Sequence, residues 1–180
     1  AKVTKMVMMG GRQRIWDNDW SVEWNFGGCG GRDCGGNYGN LGDITASALE
    51  LWPREVPIEY IGFEAGMEVR TGYVLDDLDT PCGHAYRWFC EDLDGWCSGG
   101  GRNAWDPMAV LYAARGDPHH YYSSNRGYNR IDRDSGYNDW TESSAPEMFE
   151  TYLELTGSND DLEHEIDSLT LLPPAWNHPR

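Results

Sequence analysis

Near its start the chain carries four consecutive apolar side chains, Met6-Val7-Met8-Met9, and stops at once on Gly10-Gly11. A short run without polar alternation predicts a strand over residues 2–9 that is covered on both faces, as in a sheet enclosed by helices. The paired glycines end it. The same punctuation continues along the chain. Thr45 to Trp52 reads as a helix stopped by Pro53, and Val56 to Ile61 as a strand closed by Gly62. Glu64 to Arg70 reads as a short helix ended by Gly72, and residues 84–92 as another. Asp106-Pro107 opens a helix over Met108 to Arg115, with Asp106 as its N-cap and Gly116 as its stop. From Ser158 to Leu172, Leu162, Ile166 and Leu169 share one helical face before Pro173-Pro174. Residues 120–141, rich in Tyr, Asn, Arg and Asp around Ser135-Gly136, predict a short β-hairpin. Strands alternating with helices imply an α/β fold: a mostly parallel, Rossmann-type sheet with flanking helices and a small late hairpin.

Thirty acidic side chains against 14 basic ones give a formal charge of −16. This excludes nucleic acid and anionic membrane surfaces as expected partners, because both require a cationic field. No apolar run approaches the roughly 18 residues of a membrane span. Residues 27–42 hold eight of the 22 glycines and two of the five cysteines, and read as a loop. Cys29–Cys34 and Cys90–Cys97 are each spaced to close a small disulfide loop, which would leave Cys82 over and favour an oxidising, secreted setting. Reduced thiols and a metal site are the alternatives.

Two stretches carry candidate chemistry. In Glu23-Trp24-Asn25-Phe26, a carboxylate and a carboxamide two residues apart share a side of an extended chain. Together they can grip the vicinal hydroxyls of a sugar, the first accepting and the second both donating and accepting. In Ala104-Trp105-Asp106-Pro107, an aspartate beside an indole is either a ligand for a hard cation or a helix cap. His119-His120 would point to opposite sides of a strand. Asp76-Asp77-Leu78-Asp79 lacks the spacing of a calcium loop and reads as a solvated turn.

In their order along the chain, these segments resemble the nucleoside hydrolase family. The resemblance runs from the strand ending Met9-Gly10-Gly11, through Glu23-Trp24-Asn25 and Gly62-Phe63-Glu64 with Thr71-Gly72, to Trp105-Asp106-Pro107-Met108-Ala109-Val110-Leu111-Tyr112. It implies calcium-dependent cleavage of the N-glycosidic bond of ribonucleosides. On that basis Glu23 and Asn25 would hold ribose hydroxyls and Met9 would lie against the sugar. Asp17 or Asn18 would reach the 5′-hydroxyl, with Asn18 taken as the site residue. Trp24 and Trp105 would stack on a purine, and Asp106 would ligate calcium. The family's N-terminal aspartate cluster, which supplies most calcium ligands and the general base, has no counterpart here. The resemblance therefore implies the C-terminal portion of a larger domain, completed by a partner chain or a further segment, in an oligomer or assembly. Two other functions are compatible with the same residues: a structural or coat module without catalysis, and a nucleoside- or carbohydrate-binding protein without turnover.

Overall fold

The computed structural model describes residues 2–13, 24–27, 41–75, 78–92, 97–98, 101–134 and 136–172. The first apolar run forms β1 (Met6–Met9). Its side chains alternate between two cores, Val7 and Met9 packing on one and Met6 and Met8 on the other. That division is the period-two geometry of a strand. All four are half-buried rather than sealed, because β1 is the outer strand of the described sheet.

The short helix α1 (Trp24–Gly27) and the helix α2 (Leu41–Leu51) precede β2 (Ile58–Ile61). The helix α2 ends at Leu51, and the indole of the next residue, Trp52, donates to the Val56 carbonyl across the Pro53 turn at 2.8 Å. After β2 come α3 (Phe63–Met67), β3 (Arg70–Thr71), a tight 3-10 turn at Tyr73–Leu75, and α4 (Pro81–Asp92). Next are β4 (Cys97–Ser98), β5 (Gly101–Asn103) and α5 (Trp105–Arg115). The chain continues through β6 (Tyr122–Ile131), β7 (Asn138–Glu142), β8 (Glu150–Leu155) and α6 (Asn159–Thr170).

The fold is α/β: a mixed five-stranded sheet in the order β1-β2-β8-β6-β7, flanked by helices. β1, β2 and β8 run parallel, with Met8 opposite Tyr60 and Tyr60 opposite Tyr152. The expected late hairpin is β6–β7, which turns through Gly136 at φ +72° and joins the main sheet antiparallel to β8. One face buries Ile61, Leu153 and Tyr121 against α3, α5 and α6, including Ala65, Met108, Leu162 and Ile166. The other buries Ile58, Tyr60, Tyr152 and Ile131 against Phe26 of α1 and Ala46 of α2.

A separate three-stranded sheet, ordered β3-β5-β4, sits beside α4. It is fastened to α6, where Glu163 accepts from the Arg70 backbone N–H at 2.6 Å and Asp167 from that of Gly72 at 2.8 Å. Cys90 and Cys97 form the expected disulfide, and Cys82 keeps an exposed free thiol. The proposed Cys29–Cys34 pair, most of the Gly-rich loop and Pro173-Pro174 lie outside the described residues.

Local expectations are corrected at several points. Trp24-Asn25-Phe26 is not extended but forms the helix α1, so the side-sharing argument from strand geometry does not hold there. Arg70 belongs to β3, because the α3 helix stops at Met67 and the chain turns to pair with β5. Asp106 is not an N-cap: α5 starts two residues earlier than that cap implies, with Ala104 at the cap position, so Asp106 points outward from the first turn. β8 and the small sheet were not anticipated at all. β8 matters most, since it joins the parallel strands to the hairpin.

Candidate functional site

Because β1, β2 and β8 are parallel, their carboxyl ends open on one edge of the sheet, the place where open α/β sheets hold ligands. The chain turns there through Gly10-Gly11 and Gly62-Phe63, which are bonded to each other through Phe63 N–H to Gly11 O at 2.9 Å. Gly10 and Gly11 are required at this turn. A Cβ on either would fall within 2.8 Å of the Phe26 ring, and Gly11 has φ +86°. Phe26, only 1% exposed, is therefore seated directly on the turn.

That seating fixes the rest of α1. Asn25 donates through Nδ2 to the Met9 carbonyl at 3.2 Å and lies against the Met9 sulfur. Trp24 projects outward and is 72% exposed. On the far side, Asn138 grips Arg12 with two backbone bonds, accepting from its N–H at 2.7 Å and donating to its carbonyl at 2.8 Å. Arg12 stacks over the Phe63 ring with its guanidinium carbon 4.2 Å from the centroid. Residues far apart in sequence thus build one rigid rim.

The structure brings Met9 and Asn25 into contact and leaves Trp24 beside them at the surface. Asn18 and Glu23, the other two expected sugar ligands, lie outside the described residues. Trp105 is placed differently from the expectation that it stacks on a base. It is 8% exposed, donates to the Phe63 carbonyl at 2.7 Å, and stacks on the Phe63 ring. Gly66 lacks a side chain where a Cβ would come within 2.1 Å of the indole. The indole is a wedge between α3 and α5, and its polar handle is satisfied inside the protein. The same bond puts the first turn of α5 at the carboxyl edge, so exposed Asp106 faces solvent at that end of the molecule.

Sequence reasoning passed over a carboxylate at this edge. Glu64 follows the glycine that closes β2, and Tyr152 of β8 donates its hydroxyl to it at 2.6 Å. Burial, with the Glu64 charge second, pushes the Tyr152 phenol far above its ordinary range and keeps it a donor. The available signal was position alone: an acid immediately past the end of a predicted parallel strand.

Elsewhere, a wider depression of about 570 Å³ is lined by His119, Tyr121, Asp161, His164 and Glu165. Its central carboxylate, Glu165, is already held by Tyr121 at 3.1 Å and Arg115 at 3.3 Å, with His119 at 4.0 Å. These bonds join the α5 end to α6 and account for the cluster as a structural tie.

No protein-family model and no curated protein matches the sequence. Among solved structures, the chain is similar to a plant nucleoside hydrolase, the PpNRh1 enzyme. The TM-score is 0.43 and the identity 11%, covering 66% of this chain and 42% of that one. The chain thus spans less than half the length of that structure. At that similarity the neighbour says nothing of the site, which rests on this chain's own residues.

Calcium does not fit the described residues by themselves. The ion takes about 6–8 oxygens, whereas Asp106 is a lone exposed carboxylate on its turn. Among the described residues, no three His, Cys, Asp or Glu side chains gather where they could hold a metal.

Proposed function

We propose that the carboxyl edge of β1, β2 and β8 recognises a ribonucleoside, and that the chain is the nucleoside-holding part of an N-glycosidic hydrolase. The observation that carries this reading is the rim itself. Phe26 locks Asn25 onto the end of β1 and leaves Trp24 exposed beside it. With its Nδ2 held by Met9, the Asn25 amide presents its oxygen as an acceptor for a ribose hydroxyl, and an exposed indole suits the face of a base, worth about 1–3 kcal/mol per stacked base. Of the two tryptophans that the family resemblance assigns to the base, only Trp24 has an exposed face. Hydrolysis requires a general base and calcium ligands from outside the described residues, supplied by a partner chain or a further segment.

The test is equilibrium binding of inosine, guanosine and uridine, followed by ribose release with and without chelator. Trp24→Ala is expected to weaken the two purine nucleosides by about tenfold or more and uridine less. Asn25→Ala should weaken all three alike. Equal, unchanged affinities in both variants would remove this rim from nucleoside recognition.

A second reading, an assembly module on the same fold, draws on one observation. Ile44, Ala48 and Leu51 lie at helical spacing on α2 and are all exposed, Leu51 by 83%. Sedimentation across a concentration series decides it. A monomer throughout, unchanged by Leu51→Glu, removes this reading.

A further inference from the structure

The carboxyl edge also carries a cleft on its β2–β8 side. It has a volume of about 280 Å³ and opens between α3, the end of β8 and the start of α6. Its walls divide by chemistry. Ala65, Met67, Leu153 and Leu155 supply an apolar side, while Glu64, Glu68 and Glu154 supply three carboxylates and Gln13 and Asn159 two carboxamides. Concave sites of this kind, mostly apolar with a few convergent polar groups, are the usual form of small-molecule pockets.

Glu64 is not an ordinary surface acid. Tyr152, 2% exposed, donates to its Oε2 at 2.6 Å, and the Gln13 backbone amide is bonded to the same phenol oxygen. The phenol reaches this position only because residue 62 is glycine: a Cβ there would lie 1.8 Å from the Tyr152 oxygen. Two strands and a turn therefore fix the direction of one carboxylate. A carboxylate offers about four lone-pair sites, so it accepts a ligand hydroxyl beside the partners it already has.

We propose that this cleft binds a neutral polyhydroxylated ligand of pentose size, with Glu64 as the oriented hydroxyl acceptor and Glu68, Glu154, Gln13 and Asn159 completing the polar side. None of the described lining residues is cationic, which disfavours a phosphate or carboxylate ligand. An apolar wall opposite a row of acceptors and amides matches a sugar ring, which shows C–H groups on one face and hydroxyls around its edge. The proposal stands apart from N-glycosidic chemistry, because it requires neither calcium nor the Asn25–Met9 rim.

The test is a titration of D-ribose, followed by calorimetry or ligand-observed NMR, against the intact chain and three variants. Wild type is expected to bind ribose at millimolar concentration, and Asn25→Ala, which removes any ribose held at the rim, is expected to keep the cleft's share of that binding. Glu64→Gln, which keeps size and loses charge, is expected to weaken binding about tenfold or more, since hydrogen bonds to charged groups are the strong ones. Tyr152→Phe, which keeps the packing and removes the orienting hydroxyl, should weaken binding to a smaller degree. Thermal melts of each variant establish that it is folded. Absence of ribose binding in wild type overturns the proposal, as does equal affinity in Glu64→Gln. So does binding of calcium chloride or inorganic phosphate, without ribose, that Glu64→Gln abolishes. Loss of ribose binding in Asn25→Ala alone would assign the sugar to the rim and overturn the cleft, leaving the nucleoside reading intact.

Discussion

Single residues decide how closely the elements at the carboxyl edge approach one another. Gly62 is the tightest case, since a methyl group there collides with the phenol that holds Glu64. Ring and backbone are both stiff, so Gly62→Ala is expected to cost about 1–3 kcal/mol, in the range of core overpacking. Chemical denaturation measures this, and a neutral effect would show that Tyr152 has room to move. Trp105 makes the opposite kind of prediction. As a buried wedge on Phe63 it should cost about 3–5 kcal/mol when cut to alanine, and a soluble, stable Trp105→Ala protein would contradict its packing role. An indole next to an aspartate at a helix start reads equally well as a ligand platform or as core. Neighbours 42 residues away, at the Phe63 carbonyl, make it core.

The elements themselves differ in how much of their stability is local. The helix α6 carries its own start signal: Ser158 accepts from the Asp161 N–H at 3.2 Å, and Leu162 and Ile166 fill the core below. Its boundaries were readable from spacing and capping alone. The small sheet beside α4 has strands of two or three residues and depends on fastenings from outside, chiefly the Cys90–Cys97 bond and the α6 carboxylates. Closing so short a loop is worth about 2.5 kcal/mol in chain entropy. Reduction, or a Cys90→Ser/Cys97→Ser pair, should lower stability by roughly that amount and raise amide exchange first in β4 and β5. Uniform exchange across the fold would place the bond's effect elsewhere. β8 was missed because Glu150 and Glu154 make it look like a solvated segment. Within the sheet Glu150 is instead buried, accepting from the Tyr60 hydroxyl at 2.8 Å and the Asn129 N–H at 3.0 Å.

Across the whole molecule, charge sets how stability responds to solution conditions. Burial raises the Glu150 carboxyl above its ordinary value, and Asp167 moves in the same direction for the same reason. A raised folded-state value means that the native protein binds protons more tightly than the unfolded chain does. This stabilisation is complete below the unfolded value, near 4.3 for a glutamate, and is lost as pH rises through the folded value. The melting temperature should therefore fall between mildly acidic and neutral pH, and less steeply in Glu150→Gln; parallel curves would remove Glu150 from the linkage. The net charge of −16 acts alongside it. Raising ionic strength from about 0.01 M to 1 M shortens the screening length from about 30 Å to about 3 Å, so added sodium chloride should stabilise the fold by damping self-repulsion. A melting temperature insensitive to salt would show that the acidic residues are locally paired.

What the sequence determined by itself is what depends on neighbours along the chain. The strand before Gly10-Gly11, the helix between Ser158 and the late prolines and the Gly136 hairpin follow from periodicity, caps and turns, while loop length allowed the Cys90–Cys97 pairing without deciding it. Only the tertiary structure decided what depends on distant partners. It inserted β8 between β2 and the hairpin, turned Trp105 inward, and set Tyr152 over Gly62 to aim Glu64. Local propensity specifies an element's type, but which face is covered and which polar groups meet is fixed by long-range packing. A ligand edge built from the ends of three parallel strands exists only once those strands have paired.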